Sequence, residues 1–318
     1  MKRLSTKEIP LIQNYLDKAV SYGRQFVSEG ACASYIPELS KADARQVGIC
    51  VMKPDGEIFT SGDAHQYFTV QSISKIMNLA IALQTHGYNE IFNKVKMEPS
   101  GDAFNSIIKL DTDGQIPFNP MINSGAIVIT SFLKPHYSFE ELLERMKILS
   151  LDDSLTLNQA VYESENATGF RNRSIAYLLK SKGVITGDVE EILDLYFKLC
   201  SVQVTVKSLA GFGLLLANNG IQPFTGERLI EKDVAKTIKT LMLTCGLYDG
   251  SGEFAVKIGM PAKSGVGGGI LSLVNNKAGI GVFGPSLDEK GNSVAGVKML
   301  EYLSKELHLH IFDNDPCI

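Results

Sequence analysis

The chain of 318 residues is 44% apolar and 21% charged, enough to build a sizeable core and two lobes of an ordinary soluble globular protein. Its formal net charge of −4 gives no electrostatic reason to expect nucleic acid or an anionic membrane as a partner, which leaves small solutes as the open class. The five cysteines, Cys32, Cys50, Cys200, Cys245 and Cys317, lie far apart without CxxC or Cys/His metal spacing, so a reducing cytoplasm is expected, with no metal and no cofactor. The start, Met1 to Thr6, leads into an amphipathic pattern without an apolar h-region, and no run of about 18 apolar residues follows anywhere. Neither an export signal nor a spanning helix is therefore expected.

Residues 8–28 carry Ile9, Ile12, Tyr15, Leu16, Ala19, Val20 and Phe26 at helical spacing, which predicts a long first helix. Residues 47–52 and 57–60 flank Lys53-Pro54-Asp55-Gly56, whose proline and glycine suit a tight turn between antiparallel strands. An extended stretch, Tyr67 to Val70, then turns into a helix with an apolar stripe at Ile73, Ile76, Met77, Ala80 and Leu83. From 70 to 250 the pattern is mostly helical, with segments at 139–150, 156–162, 172–181, 188–200, 206–218 and 231–244. Strands return at 269–274 and 279–283 around Asn275-Asn276, followed by a polar loop at 287–292 and a last amphipathic helix over 293–307. Strands near both chain ends imply one sheet made from distant segments. The expected fold is mixed α/β (α+β): an antiparallel sheet lobe, approximately 1–69 and 251–318, flanked by terminal helices, plus a helical lobe, approximately 70–250, with the site in the cleft between them.

Three SxxK matches occur, at Ser72 to Lys75, Ser106 to Lys109 and Ser131 to Lys134, and such a match arises easily by chance. Context separates them. Ser131 to Lys134 runs into Pro135, and Ser106 to Lys109 runs into the polar loop Asp111-Thr112-Asp113-Gly114, whereas Ser72 opens a long helix. Residues three apart share a helix face, so the Lys75 amine can reach the Ser72 hydroxyl. Desolvation lowers an amine's pKa, and a neutral Lys75 could take the Ser72 proton as the oxygen attacks a carbonyl. The Ser72 N–H, unpaired in a first turn, could serve as an oxyanion donor. The second feature is Lys263-Ser264-Gly265-Val266-Gly267-Gly268-Gly269, entering a strand. Its glycines would let a ligand approach the strand edge, with Lys263 and Ser264 adding polar contacts. A serine in SxxK with a lysine-hydroxyl-glycine strand far downstream is the combination used by penicillin-recognising enzymes. Gly279-Ile280-Gly281-Val282-Phe283-Gly284 matches GxGxxG but opens no helix, so no dinucleotide site is expected. The five histidines, among them His65, His86 and His136, show no metal spacing, and His308 and His310 would point differently on the last helix.

Taken together, these segments resemble the serine-dependent glutaminases, a family of serine β-lactamase-like fold. The similarity runs from about Tyr35 to the last strands, through Tyr35-Ile36-Pro37-Glu38-Leu39, Gln71 to Lys75 and Glu98-Pro99-Ser100-Gly101 with Phe104-Asn105. It continues through Asn119 to Ala126, Glu163-Ser164-Glu165, Arg171-Asn172-Arg173, Tyr196, Cys245 to Asp249 and Lys263 to Gly268. The resemblance implies hydrolysis of L-glutamine to L-glutamate and ammonia in a single catalytic domain, by a homodimer or homotetramer. It implies Ser72 as nucleophile and Lys75 as base. Asn123, Glu165, Asn172, Tyr196, Tyr248 and the Val266 backbone match positions that hold substrate, and Tyr35 one near the reacting group. Glu165 can answer the ammonium of glutamine, while amide and phenol donors answer its carboxylate. The Ser72 and Val266 N–H groups would stabilise the oxyanion, and Tyr248 or Tyr35 would relay a proton to the leaving nitrogen. Two other readings are open to the sequence: another serine acyl hydrolase of the same fold, or a non-catalytic glutamine-binding sensor.

Overall fold

The computed structural model describes residues 9–100, 116–313 and 317–318, with side chains from residue 11. The chain opens with α1 (Ile9–Gly23), which tightens into a 3-10 helix over Arg24–Glu29 instead of continuing to 28 as an α-helix. A second 3-10 helix (Pro37–Lys41) leads to the hairpin β1 (Gly48–Met52) and β2 (Ile58–Gly62). The Lys53-Pro54-Asp55-Gly56 turn closes it as expected: the Gly56 N–H donates to the Lys53 carbonyl at 3.1 Å, and Gly56 takes φ +93°. Then come β3 (Phe68–Thr69), α2 (Ser74–His86), α3 (Tyr88–Phe92), α4 (Asn123–Leu133) and α5 (Phe139–Ser150). β4 (Thr156–Leu157), α6 (Gln159–Thr168), α7 (Phe170–Ser181), α8 (Val189–Cys200), β5 (Val202–Val204), α9 (Val206–Ala217) and α10 (Lys232–Cys245) follow. The chain closes with α11 (Ser251–Lys257), β6 (Ala262–Ser264), β7 (Gly269–Val274), β8 (Ala278–Phe283) and α12 (Val294–Leu307).

The main sheet is five-stranded, in the order β2-β1-β8-β7-β6, and antiparallel throughout, so the early hairpin pairs with the late strands (Gly48 opposite Phe283, Met52 opposite Gly279). Both faces are covered. Strand alternation sends Ala278, Ile280 and Val282 to one face, where they join Leu16, Ala19 and Val20 of α1 and Met299, Leu300 and Leu303 of α12. The other face of β8 carries Gly279 and Gly281, against which α9 lies. A Cβ at Gly279 would stand 2.0 Å from the Ala210 carbonyl oxygen, and one at Gly281 would stand 2.1 Å from that of Val206. The GxGxxG match thus serves helix–sheet packing: two glycines let the α9 backbone approach closely.

A smaller sheet, β3-β5-β4, lies beside the head of α2, where the Val70 N–H donates to the Val202 carbonyl at 2.8 Å. Every residue of α2 from Ser74 to Leu83 is buried, so the expected single apolar stripe is in fact a helix enclosed on all sides. Several boundaries differ from those predicted. The segment 156–162 begins as strand β4, and the helix waits for Asn158, whose side chain caps it by accepting from the Val161 N–H at 3.0 Å. α4 runs through Ser131 and stops just short of Pro135. The last helix ends at Leu307 with His308 left-handed (φ +53°), which places His308 and His310 beyond the helix. Phe104-Asn105 and the Ser106 to Lys109 match lie outside the described residues. Among the described residues no helix is long and apolar enough to cross a membrane.

Candidate active site

Ser72 lies in the middle of a short 3-10 turn, Gln71–Ile73, that feeds straight into α2, one step ahead of the α-helical first turn that the sequence suggested. The chain enters this turn through Gln71, which holds φ +47°, a left-handed value uncommon outside glycine. The Lys263 to Gly269 segment runs alongside. A Cβ at Gly265 would sit 2.7 Å from the Val70 carbonyl oxygen and 3.4 Å from the Ser72 nitrogen, and one at Gly267 would sit 2.3 Å from the Thr69 carbonyl oxygen. Glycine here allows backbone to clasp backbone. Among the described residues, no hydrogen bond engages the N–H of Ser72 or of Val266, the residue between those glycines.

Lys75, 2% exposed, donates from Nζ to the Asn123 side-chain oxygen at 2.7 Å and to the Met121 carbonyl at 3.3 Å. Asn123 in turn donates to the Asn172 side-chain oxygen at 2.9 Å, so α2, the head of α4 and α7 meet at one chain of amides. The turn before α4 is fixed by Asn119, whose side chain accepts from the N–H groups of Met121 and Ile122 and donates to the Glu98 carbonyl at 2.7 Å. Burial lowers the Lys75 ammonium to about 8, against the opposing pull of Cys200 and Glu165. Glu165, on α6 and 5% exposed, is pushed by burial in the opposite sense, up to about 8, although Lys75 and a hydrogen bond with Gln71 both draw it down. One of its carboxyl oxygens, Oε2, is buried without a partner.

Three phenols complete the enclosure. Tyr248 holds φ +54°; its hydroxyl donates to the Ser264 carbonyl at 3.4 Å, and burial raises its pKa against an opposing pull from the neighbouring Ser72 hydroxyl. Tyr196, buried on α8, has its phenol raised first by burial and then by Cys200 and Glu165, and it hydrogen-bonds with Cys200 one helical turn on. Tyr35 is 54% exposed, yet its phenol is raised by desolvation and then by Glu165 and Tyr248, so the ring shows to solvent while the hydroxyl end enters the site. Val266 packs against Tyr248 and Leu287.

The structure therefore brings together Ser72, Lys75, Asn123, Glu165, Asn172, Tyr196, Tyr248, Tyr35 and Val266 from segments distant in sequence. Lys263 and Ser264 stand on the Tyr248 side of the site. Lys263 is fully buried, donates to the Ser264 carbonyl at 2.7 Å, and places its Nζ 4.8 Å over the Tyr248 ring, while the Ser264 hydroxyl is buried and unpaired. Gln71 and Cys200, given no role from sequence, touch Glu165 and Tyr196 respectively. The Gln71 contact joins two elements, so no pattern in the sequence marks it, whereas Cys200 follows Tyr196 by four residues on α8, a helical spacing that could have flagged the pair.

A serine and lysine at the head of an enclosed helix, beside an antiparallel sheet with helices on both faces, define a mixed α/β protein of the β-lactamase-like fold. The glutaminase family model matches residues 30–312, and the chain belongs to the glutaminase family. It is 49% identical over 305 residues to Glutaminase 2 of Clostridium perfringens (strain 13 / Type A), covering 95% of this chain and all of that protein. It is 51% identical over 301 residues to a glutaminase of Clostridium botulinum (strain Hall), covering 93% of this chain and 99% of that one. Among solved structures, a Bacillus glutaminase in 4.3 M NaCl superposes with a TM-score of 0.87 at 41% identity, covering 94% of this chain and 99% of that one. A probable glutaminase from Bacillus subtilis complexed with 6-diazo-5-oxo-L-norleucine gives a TM-score of 0.87 at 39% identity, over 98% of each chain.

Proposed function

We propose that this glutaminase hydrolyses L-glutamine to L-glutamate and ammonia through a γ-glutamyl ester on Ser72. The observation that carries the reading is the buried Glu165 carboxyl with one oxygen unpaired, enclosed with Lys75 and the Asn123–Asn172 amides. Such a group calls for a cationic donor from the ligand, and the α-ammonium of glutamine is one. The complex of the Bacillus subtilis relative with 6-diazo-5-oxo-L-norleucine, an analogue of glutamine, supports the same substrate.

In the proposed sequence, neutral Lys75 accepts the Ser72 proton as Oγ bonds to the side-chain amide carbon, and the Ser72 and Val266 N–H groups face the oxyanion. The C–N bond breaks as a proton reaches the leaving nitrogen, and ammonia departs. Tyr248 is the relay we favour over Tyr35, because Ser72 acts directly on its phenol and not on that of Tyr35. Water then attacks the ester, its proton passes back through the same groups, and glutamate leaves. Asn123, Asn172 and Tyr196 would orient the α-carboxylate and side-chain amide, with Lys263, Ser264 and Gly265 supporting Tyr248 and the Val266 turn. We read 1–318 as one catalytic domain, with the sheet lobe approximately 1–69 and 251–318 and the helical lobe approximately 70–250. We place it in the cytoplasm as a homodimer or homotetramer; its cysteines are free, which a reducing compartment would maintain.

Ser72→Ala is expected to abolish ammonia release in a coupled assay while leaving the far-ultraviolet circular dichroism unchanged. Turnover near the parental rate in that variant would end the Ser72 assignment. Lys75→Ala should show no burst of ammonia in the first turnover, and a normal burst would remove Lys75 as the base.

A further inference from the structure

Tyr248 is an aromatic residue held at φ +54° at the start of a 3-10 turn, Tyr248–Gly250, a conformation that costs free energy for a bulky side chain and persists only where its surroundings impose it. From that backbone its hydroxyl reaches the Ser264 carbonyl at 3.4 Å, beside Ser72. The surroundings that impose it can be named. Ser251, 5% exposed at the first position of α11, accepts from the Leu247 N–H at 2.9 Å and donates to the Tyr248 carbonyl at 2.8 Å. One hydroxyl therefore brackets the Leu247–Tyr248 pair on both sides. Two further ties converge on the Leu247 carbonyl, which accepts from the Gly250 N–H at 2.9 Å and from the Asn292 side-chain amide at 3.4 Å. These tie the turn into its loop, and the Ser251 N–H also donates to the Tyr248 carbonyl, closing the 3-10 turn; among these bonds only the Ser251 hydroxyl holds the Leu247 N–H and the Tyr248 carbonyl together.

We infer that Ser251 is a positioning residue for the reaction: its hydroxyl locks the left-handed backbone of Tyr248 and so aims the phenol at Ser72. The Ser251 hydroxyl is engaged in both directions by backbone, so it acts through Tyr248 and not on substrate. Without it the Leu247 N–H loses its acceptor and the Tyr248 carbonyl keeps only the Ser251 N–H, so Tyr248 can relax towards negative φ and swing the phenol off the nucleophile while Val266, Leu287 and Lys263 around the ring stay in place. The inference rests on the reading of Tyr248 as the proton relay.

The test is a double-mutant cycle on the full chain, with Ser251→Ala, Tyr248→Phe and the pair, each assayed for ammonia release. Ser251→Ala is expected to lower kcat/KM by ~10- to 100-fold, the scale of a misplaced catalytic group. Ser251→Thr, which keeps the hydroxyl, should recover most of that loss. In the Tyr248→Phe background, where no phenol is left to aim, Ser251→Ala should add little. Loss of activity by the same factor in both backgrounds, as general destabilisation would give, overturns the inference. So does parental kcat/KM in Ser251→Ala with Tyr248→Phe impaired. Parental activity in Tyr248→Phe itself removes the relay reading and takes the Ser251 role with it.

Discussion

Burial displaces Lys75 and Glu165 in opposite senses, and each displacement favours the neutral form of its group. Lys75 must be neutral to accept the Ser72 proton, so at pH values below about 8 the free enzyme holds a proton that blocks attack. Glu165 must be ionised to receive an ammonium, and its value near 8 makes that form scarce over the same range. Because each group perturbs the other, they titrate as a pair. The expected outcome is a kcat/KM that climbs with pH through about 8 and levels above it; a profile flat from about pH 6 to 9 would contradict both assignments. A second consequence follows for binding. Near pH 7 the empty site holds Glu165 protonated, so an arriving ammonium must expel that proton. Calorimetric titration of Ser72→Ala with glutamine should therefore give heats that differ between buffers of different ionisation enthalpy, and the difference should vanish in Ser72→Ala/Glu165→Gln. Equal heats in both buffers with Glu165 present would show that the carboxyl does not ionise on binding.

At the scale of elements, the contact of α9 with β8 depends on two missing side chains. Gly281→Ala would push a methyl to 2.1 Å from the Val206 carbonyl oxygen, in backbone that has no rotamer to yield. A loss of ~1–3 kcal/mol is expected, the usual range for overpacking, and is read from the urea midpoint. Gly252→Ala is the matched control, because nothing lies within 4 Å of its added Cβ in α11 and helix propensity improves, so its midpoint should hold or rise. Equal midpoints for the two variants would remove the close-approach explanation of these glycines. The same contact shows where sequence is readable. The periodicity over 206–218 and 139–150 marks α9 and α5 nearly to the residue, since long amphipathic helices repeat their pattern several times. The extended stretch at Tyr67 to Val70 contains β3, but β4 and β5, of two and three residues, hold too little of a pattern to read, and the small sheet they form with β3 is invisible until the chain folds. Asn158 shifted the start of α6 by capping it, a local signal outweighed by apolar residues upstream. At the site, Ser72 and Lys75 are legible because they share one turn. The contacts of Gln71, Lys263 and Ser251 are not, because direction within the core, and not residue type, gives each its part.

The whole molecule explains why the remaining site residues could be assembled from sequence only by likeness to a family. The central sheet joins β1 to β8 across most of the chain, and the site draws on α2, the head of α4, α6, α7, α8 and the turn after α10 around it. No spacing rule connects residues so far apart; only the closed fold does. The clasp of Gly265 and Gly267 on the Thr69–Ser72 backbone bears on how this chain can vary. Where side chains set the distance between two elements, a loss on one side can be offset by a gain on the other. Here two main chains set it directly, and no second mutation can return the space that a first one occupies. In a saturation library selected for growth on glutamine as nitrogen source, positions 265 and 267 are expected to remain glycine even after rounds of compensating mutation elsewhere. Survivors with larger residues there would show that the loop has freedom to retreat. The nucleophile's placement is thus insulated from drift in the core: it is inherited with the backbone, and sequences can diverge widely around it.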